Sequence, residues 1–113
     1  MNSRKRISKT VREGIYKRFN GRCAYCGKKI TPREMQIDHI QSVYQGGADS
    51  LSNYRASCRA CNFYKGGGDQ EYLRSQVSQI IPRLLERSFI FRMAVAYGLI
   101  AVNKAPIVFE FEK

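Results

Sequence analysis

Four cysteines fall in two pairs, a first cysteine pair of Cys23 and Cys26 and a second cysteine pair of Cys58 and Cys61. A spacer of two residues lets a tight turn aim both sulfurs at one ion, and four thiolates form the closed, tetrahedral donor set of structural zinc. Cysteines can instead form disulfides in an oxidised, secreted chain, but nothing in the sequence suggests secretion. The spacing therefore predicts a structural zinc ion on these four residues.

A second set of reactive groups lies between the two cysteine pairs and directly after them. His39 is the sole histidine, and it follows the carboxylate of Asp38. Asn53 comes later in the same stretch, and Asn62 follows the last cysteine. An imidazole can accept a proton from water near neutral pH, while carboxylate and amide oxygens suit a hard divalent cation. A lone histidine is more often structural than reactive, so its neighbours decide its interpretation.

Taken together, these segments resemble the HNH endonuclease family. The resemblance runs from about residue 16 to residue 65, and five elements stand in the family's order and spacing. They are Cys23-Ala24-Tyr25-Cys26-Gly27, Ile37-Asp38-His39-Ile40, Gly46-Gly47, Asn53, and Cys58-Arg59-Ala60-Cys61-Asn62 with Lys65. Many members have histidine at the last polar position, and the chain resembles the subgroup with histidine, asparagine and asparagine.

The resemblance implies a metal-dependent endonuclease that hydrolyses phosphodiester bonds of double-stranded DNA and leaves 5′-phosphate ends. In that family the residue at the His39 position is the general base. The residues at the Asp38 and Asn62 positions bind a catalytic divalent cation, and the one at the Asn53 position braces the loop that fixes the imidazole. Oxygen ligands suit Mg²⁺ or Mn²⁺ better than zinc, so we expect one of those ions there.

The hydrophobic pattern predicts the elements that position these groups. Residues 10–13 fit a capping box, and apolar residues recur at every fourth position from Val11 to Phe19, which predicts a first helix ending at residues 20–21. Residues 35–40 and a second segment around residues 53–56 predict a β-hairpin. A short helix is expected from Arg59 to the three glycines at 66–68.

Beyond the glycines, Asp69 is expected to cap a helix, and Pro82 suits the first turn of another helix that ends near Gly98. The apolar stretch from residue 89 to residue 99 is expected to be ordinary core, with a homodimer interface as the alternative. Residues 107–111 predict a terminal strand.

The predicted fold class is α+β. It consists of a ββα-metal (His-Me finger) core of about residues 16–66, clamped by the four-cysteine zinc site. An N-terminal helix flanks this core on one side, and an extension of residues 69–113 adds helices and a short terminal strand. At 113 residues we expect a single domain.

The charge is strongly basic, with a net value of +11, and the first 30 residues carry ten lysines and arginines against one acidic residue, Glu13. A basic end on a near-neutral body is typical of a polyanion binder, with an acidic membrane surface as a rival partner. No apolar run is long enough to span a membrane, and no signal-peptide pattern is present, so a cytoplasmic setting in a bacterial or phage-infected cell is expected. The expected DNA contacts are Arg4, Lys5, Arg6, Lys9, Lys17, Arg18, Arg59 and Lys65.

Two other functions remain open at this stage. The chain could be a non-catalytic, zinc-stabilised module that binds nucleic acid, although such a module has no use for Asp38, His39 and Asn62 together. It could also be a protein-interaction adaptor built on the apolar C-terminal helix, which explains neither the charge nor those three residues. Tyrosines within the motif, Tyr25 among them, are expected mainly to pack in the core.

Overall fold

The computed structural model describes residues 7–41, 46–48 and 50–113. Its helices and strands, in chain order, are α1 (Lys9–Arg18), β1 (Gln36–His39), β2 (Tyr54–Ser57), α2 (Arg59–Lys65), α3 (Gln70–Ser78), α4 (Ile80–Arg87) and α5 (Phe89–Ala96). Short 3₁₀ turns occupy Leu51–Asn53 and Glu110–Glu112. The predicted α+β class is confirmed.

Helix α1 begins one residue earlier than predicted and has a different cap. The hydroxyl of Ser8 accepts a hydrogen bond from the N–H of Val11 at 3.2 Å, so Ser8 caps the helix and the proposed capping box at Thr10 is wrong. A cap needs extended backbone at its own position, and Ser8 has it, whereas Thr10 already lies inside the first turn. The predicted stop is confirmed, since Asn20 and Gly21 have φ values of 57° and 67°.

The predicted hairpin is confirmed as an antiparallel pair, β1 with β2. Ile37 lies opposite Ala56, and Asp38 lies opposite Arg55. Side chains alternate between the two faces of such a strand, and Asp38 is buried while its neighbour His39 is half-buried. The hairpin therefore turns the carboxylate towards the interior.

Helices α2 and α3 begin where the sequence places them. The sulfur of Cys58 accepts a hydrogen bond from the N–H of Cys61 at 3.3 Å and caps α2, which ends at Gly66 with a φ of 56°. The carboxylate of Asp69 then accepts a hydrogen bond from the N–H of Tyr72 at 2.8 Å and caps α3. The second cysteine pair thus lies at the start of α2.

The helix expected around residues 82–98 is instead two helices, α4 and α5. They are separated at Ser88, whose backbone is extended (φ −116°, ψ 104°) and whose hydroxyl accepts a hydrogen bond from the N–H of Phe91 at 3.0 Å. A serine in this conformation offers its hydroxyl to the next helix as a cap, which favours a break over continuation.

The expectation that this apolar stretch is ordinary core is wrong. Neither α4 nor α5 contains a buried residue, and Phe89, Ile90 and Tyr97 are 63%, 74% and 75% exposed. The homodimer considered for this stretch stays a prediction. Over the part of the chain that the structure describes, no helix has the length and apolar character needed to cross a bilayer.

The C-terminal segment differs from the predicted strand. The chain is extended at Phe109 and then makes a 3₁₀ turn, and it forms two backbone hydrogen bonds with the residues between Cys23 and Cys26. The N–H groups of Glu110 and Phe111 donate to the carbonyls of Tyr25 and Ala24, each at 2.8 Å. Because the chain turns after these two bonds, no regular strand develops.

The hydrophobic core joins α1, the hairpin, α3 and this C-terminal segment. Its buried members are Ile15, Cys23, Tyr25, Ile30, Met35, Tyr54, Ala56, Cys58, Leu73 and Phe109. The end of the chain therefore packs in the same core as the first cysteine pair.

Replacing Phe109 by alanine should expose how much this segment stabilises the fold. The ring is 3% exposed and meets Tyr25 edge to face, with centroids 5.1 Å apart. Its removal leaves a core cavity, so we expect the zinc-loaded protein to lose about 3–5 kcal/mol of unfolding free energy in a denaturant titration. Val108→Ala, at a 52% exposed neighbour, is the matched control and should change it far less. Equal losses in both variants would contradict the packing.

Candidate functional site

The four cysteine sulfurs converge on one point. All lie within 4.8 Å of one another, and the sulfurs of Cys26 and Cys58 are 3.9 Å apart. A tetrahedral zinc ion with Zn–S bonds of about 2.3 Å needs sulfurs about 3.8 Å apart. All four cysteines are described, and none is in a disulfide. The predicted cluster is confirmed, and its donor set fits zinc.

The acid–base chemistry of the cluster also favours a cation. A hydrogen bond from Cys61 lowers the pKa of Cys23 to about 4, and the same contact, with burial, raises the pKa of Cys61 above its usual range. Burial raises the pKa of Cys26 as well. Four thiolates this close repel one another, so without a metal the cluster has to keep protons that zinc would displace.

The first cysteine pair is held by a tight turn and by its neighbours. The N–H of Cys23 donates to the carbonyl of Lys28 at 2.8 Å, and the N–H of Gly27 donates back to Cys23 at 3.0 Å. Gly27 has a φ of 79°, and a Cβ atom there would lie 2.6 Å from a carboxylate oxygen of Glu110. The positive φ favours glycine at this position, and the Glu110 side chain occupies the space that a Cβ atom would take.

The Asp38 carboxylate lies at the centre of a buried polar cluster. It is 5% exposed, its Oδ1 lies 3.2 Å from the Nζ of Lys65, and its Oδ2 accepts a hydrogen bond from the hydroxyl of Tyr25. The Lys65 ammonium also donates to the backbone carbonyl of His39 at 3.0 Å. Burial, followed by the charge of Asp38, raises the pKa of Tyr25 above its usual range, so this hydroxyl remains a donor.

The expectation that Lys65 contacts nucleic acid from the surface is not what the structure shows, since the residue is 1% exposed. Lys65 lies three residues after Asn62, so both are on the same side of α2. A buried carboxylate is costly without a charged or hydrogen-bonded partner, and Lys65 supplies that partner to Asp38. Lys65 is therefore an internal counter-charge to Asp38, not a charge on the protein surface.

Asp38 is buried and partnered, unlike an exposed carboxylate that binds a metal ion at the surface. Both of its oxygens already have partners, whereas the sequence predicts that it offers its carboxylate to a cation together with Asn62. Two oxygens provide about four lone-pair positions, so acceptor capacity remains for a cation. Asn62 is half-buried on α2, four residues after the Cys58 cap. Metal binding by Asp38 and Asn62 stays a prediction.

His39 ends β1 and lies opposite Tyr54 in the hairpin register. Its ring meets the Tyr54 ring edge to face, with centroids 5.3 Å apart, and the residue is half-buried. The backbone carbonyl of His39 accepts a hydrogen bond from Lys65 of α2. This bond holds the end of β1 in place. The imidazole therefore has a defined support on its Tyr54 side.

Asn53 braces the loop that follows His39. Its Nδ2 donates to the carbonyls of Gln41 at 3.0 Å and Ala48 at 2.6 Å, and its Oδ1 accepts the N–H of Gln41 at 2.9 Å. Its own carbonyl accepts the N–H of Ile40 at 2.7 Å. The Asn53 side-chain amide thus connects both ends of the loop, and the end at Gln41 lies close to His39 in the sequence. Its contribution to a reaction stays a prediction.

The remaining predicted DNA contacts are on the surface where they are described. Lys9, Lys17 and Arg18 are exposed on α1, and Arg59 is exposed at the start of α2. Arg4, Lys5 and Arg6 lie outside the described residues. The polar role of Tyr25, which lies between the cysteines of the first pair, was not predicted from the sequence. The available signal was Asp38 itself, since a carboxylate in a strand that faces the core needs a donor nearby.

The HNH endonuclease family matches residues 23–67 of this chain. This range begins at Cys23 and ends at the glycines after α2, so it contains the cysteine cluster, the hairpin and α2. Residues 23–67 form an HNH endonuclease domain. The resemblance inferred from the sequence is confirmed.

Two relatives support this assignment. The chain is similar to CRISPR-associated endonuclease Cas9 of Corynebacterium diphtheriae, with 42% identity over 50 residues, which is 43% of this chain and 5% of that protein. The crystal structure of the Type II-C Cas9 enzyme from Actinomyces naeslundii aligns with a TM-score of 0.56 and 26% identity, covering 66% of this chain and 8% of that one. The chain spans only a small fraction of the length of either relative.

Removing the metal should unfold the HNH domain. Cys58 contributes a sulfur to the cluster and caps α2; serine can still cap the helix but removes the thiolate, so we expect Cys58→Ser to lose bound zinc and the cooperative thermal transition. Zinc content by atomic absorption and a circular dichroism melt measure both effects, and a chelator should reproduce them in the wild type. Ser52→Ala, at an exposed position of the hairpin loop, is the control. A fully folded, zinc-free wild-type protein would contradict a structural metal.

Proposed function

We propose that the chain is a metal-dependent DNA endonuclease in which His39 activates the attacking water. The single observation that carries this proposal is the HNH endonuclease match over residues 23–67. Within that range, Asp38, His39, Asn53 and Asn62 stand in the order expected of the family. The support of the His39 ring by Tyr54 and the bracing of the adjacent loop by Asn53 are consistent with a fixed base.

The His39 imidazole takes a proton from water, and the water oxygen forms a bond to the phosphorus of the scissile phosphate. The bond from phosphorus to the 3′-oxygen breaks, and that oxygen takes a proton from solvent. The products are a 5′-phosphate and a 3′-hydroxyl. Asn53 acts indirectly, since its three hydrogen bonds limit the movement of the loop that begins directly after the base.

A catalytic cation belongs to this proposal. Asp38 and Asn62 would hold it, because a carboxylate and an amide oxygen fit Mg²⁺ or Mn²⁺, and the Asp38 carboxylate keeps acceptor capacity beside its two partners. Such an ion supplies positive charge to the phosphate and to the departing oxygen. Lys65 balances the Asp38 charge from the interior and donates a hydrogen bond to the backbone carbonyl of His39. It therefore fixes the positions of these two residues relative to each other.

A zinc ion on the four cysteines has a separate, structural role in this proposal. Four sulfurs saturate tetrahedral zinc and leave no open position for substrate. The four cysteines would hold this ion, and through the Cys58 cap they would fix the start of α2 and the position of Asn62. The two metals therefore have different donors and different tasks.

DNA is the proposed substrate because of the charge distribution. A groove between α1 and residues 29–34 is lined by Lys17, Arg22 and Lys29 among others, and Arg18 lies exposed next to it in sequence. Together with Lys9, Arg59 and the basic residues 4–6, these side chains would contact backbone phosphates. Such contacts give affinity without sequence selectivity.

One observation favours the alternative of a non-catalytic, zinc-stabilised nucleic-acid-binding module. Asp38 is 5% exposed, and both its oxygens have protein partners, which also describes a purely structural buried charge. The alternative predicts DNA binding without cleavage, and it makes no use of a second, catalytic cation. Cleavage assays separate the two proposals.

Substituting His39 by alanine should remove cleavage and leave binding intact. With supercoiled plasmid and Mg²⁺ or Mn²⁺, we expect the nicking rate to fall roughly 100- to 10,000-fold, which is the usual contribution of a general base. Gln36→Ala, on the same strand, is the matched control and should keep the wild-type rate. Anisotropy with labelled DNA should give similar affinities for all three proteins. Equal nicking by wild type and His39→Ala would exclude His39 as the base, and no nicking by the wild type would favour the alternative.

Neutralising two exposed charges on α1 should weaken the salt dependence of DNA binding. Each phosphate contact releases counterions and adds about 0.9 to the slope of log affinity against log salt. The Lys17→Gln, Arg18→Gln double variant should therefore reduce that slope by about two, measured with a short duplex at several salt concentrations. Arg83→Gln with Arg87→Gln removes the same charge from α4 and is the control. Indistinguishable slopes for the two double variants would place the DNA contact elsewhere.

A further inference from the structure

Tyr25 lies between the two cysteines of the first pair and is 2% exposed. Its ring meets the rings of Phe109 and Phe111 edge to face, with centroids 5.1 and 5.9 Å away. Its backbone carbonyl accepts the N–H of Glu110 at 2.8 Å. Neighbours on the C-terminal segment thus fix both its backbone and its ring, and its hydroxyl donates to the Asp38 carboxylate.

Asp38 is held from two sides that both lead back to the cysteine cluster. One oxygen accepts the hydroxyl of Tyr25, which belongs to the first cysteine pair. The other lies 3.2 Å from the ammonium of Lys65, which is on α2, the helix that starts at the second cysteine pair. A carboxylate with a single contact can rotate about its Cβ–Cγ bond, but contacts on both oxygens fix its plane.

We propose that Tyr25 is a positioning residue of the nuclease centre, whose hydroxyl fixes the Asp38 carboxylate in the orientation that receives the catalytic cation. This inference rests on the proposed function, because it assigns Tyr25 to the same metal site. The four-cysteine zinc site then positions the catalytic ligands in two ways. It acts on Asn62 through α2 and on Asp38 through the Tyr25 hydroxyl. The tyrosine touches neither substrate nor water in this role.

A purely structural role for the hydroxyl is the competing explanation, since a buried carboxylate needs donors whatever the protein does. The two roles differ in their effect on the cation. Outer partners that orient a metal ligand typically change metal affinity or activity about 10- to 100-fold when they are removed. A structural donor changes stability and leaves the affinity of a folded site unchanged.

The test compares Tyr25→Phe with Tyr16→Phe in zinc-loaded protein. Both changes remove one tyrosine hydroxyl and keep the ring, and the Tyr16 hydroxyl donates to the carbonyl of Ile30 at 2.7 Å, away from Asp38. Mn²⁺ alone is the probe, followed by electron paramagnetic resonance, because thiolate-bound zinc is not exchanged for this harder ion. We expect the Mn²⁺ dissociation constant to rise about 10- to 100-fold in Tyr25→Phe and less than about twofold in Tyr16→Phe.

Plasmid nicking gives the second measurement. In Tyr25→Phe the rate should fall at low Mn²⁺ and recover substantially when Mn²⁺ is raised, because the defect lies in cation binding. A double-mutant cycle of Tyr25→Phe with Asp38→Asn in denaturant unfolding should be non-additive, which reports the contact without any catalytic metal.

The outcomes separate this inference from the proposed function. If the wild type binds Mn²⁺ and nicks DNA, and Tyr25→Phe does both with wild-type metal dependence, the positioning role is overturned and the nuclease stands. If the wild type neither binds Mn²⁺ nor nicks DNA, the proposed function fails and this inference fails with it. A non-additive cycle would then assign the hydroxyl to stability alone.

Discussion

The convergence of four sulfurs on one point is the constraint on which the rest of this structure depends. The two cysteine pairs are far apart in sequence, the first in the turn between α1 and β1 and the second at the start of α2, so bringing them together closes the hairpin between them. Four neighbouring thiolates repel one another, and burial adds to that cost, so the arrangement is stable only when a cation or protons compensate. In a small chain with a modest core, a metal ion bound by both cysteine pairs adds a stabilising cross-link. This cross-link also fixes the starting point of α2.

Much of this core could be predicted from the sequence because its signals are local. The spacing of the cysteines, the cap at Asp69 and the glycine at position 66 each act within a few residues. Local signals were weaker where two candidates competed. Ser8 and Thr10 are both suitable caps, and only the observed backbone shows that Ser8 is used. The break at Ser88 was likewise hidden, since apolar residues continue on both sides of it.

What the sequence did not indicate are the contacts between distant segments. Lys65 is an ordinary charged residue at the end of a helix until the fold brings it to Asp38, 27 positions earlier, and a lysine in that position of the sequence usually belongs to the surface. The Tyr25 hydroxyl and the docking of Phe109 are similar cases. Each depends on how separate elements pack, and hydrophobic periodicity carries no information about that packing.

The position of residues 109–111 against the first cysteine pair has a consequence for the synthesis of the protein. A ribosome makes the HNH domain long before it makes this segment, so the nascent chain carries the cysteines, the hairpin and α2 while the surface around Tyr25 is still uncovered. Backbone bonds from Glu110 and Phe111 to that surface form only once these two residues have been made. The ring of Tyr25, and the carboxylate behind it, therefore reach their final surroundings only after residues 109–111 have been synthesised.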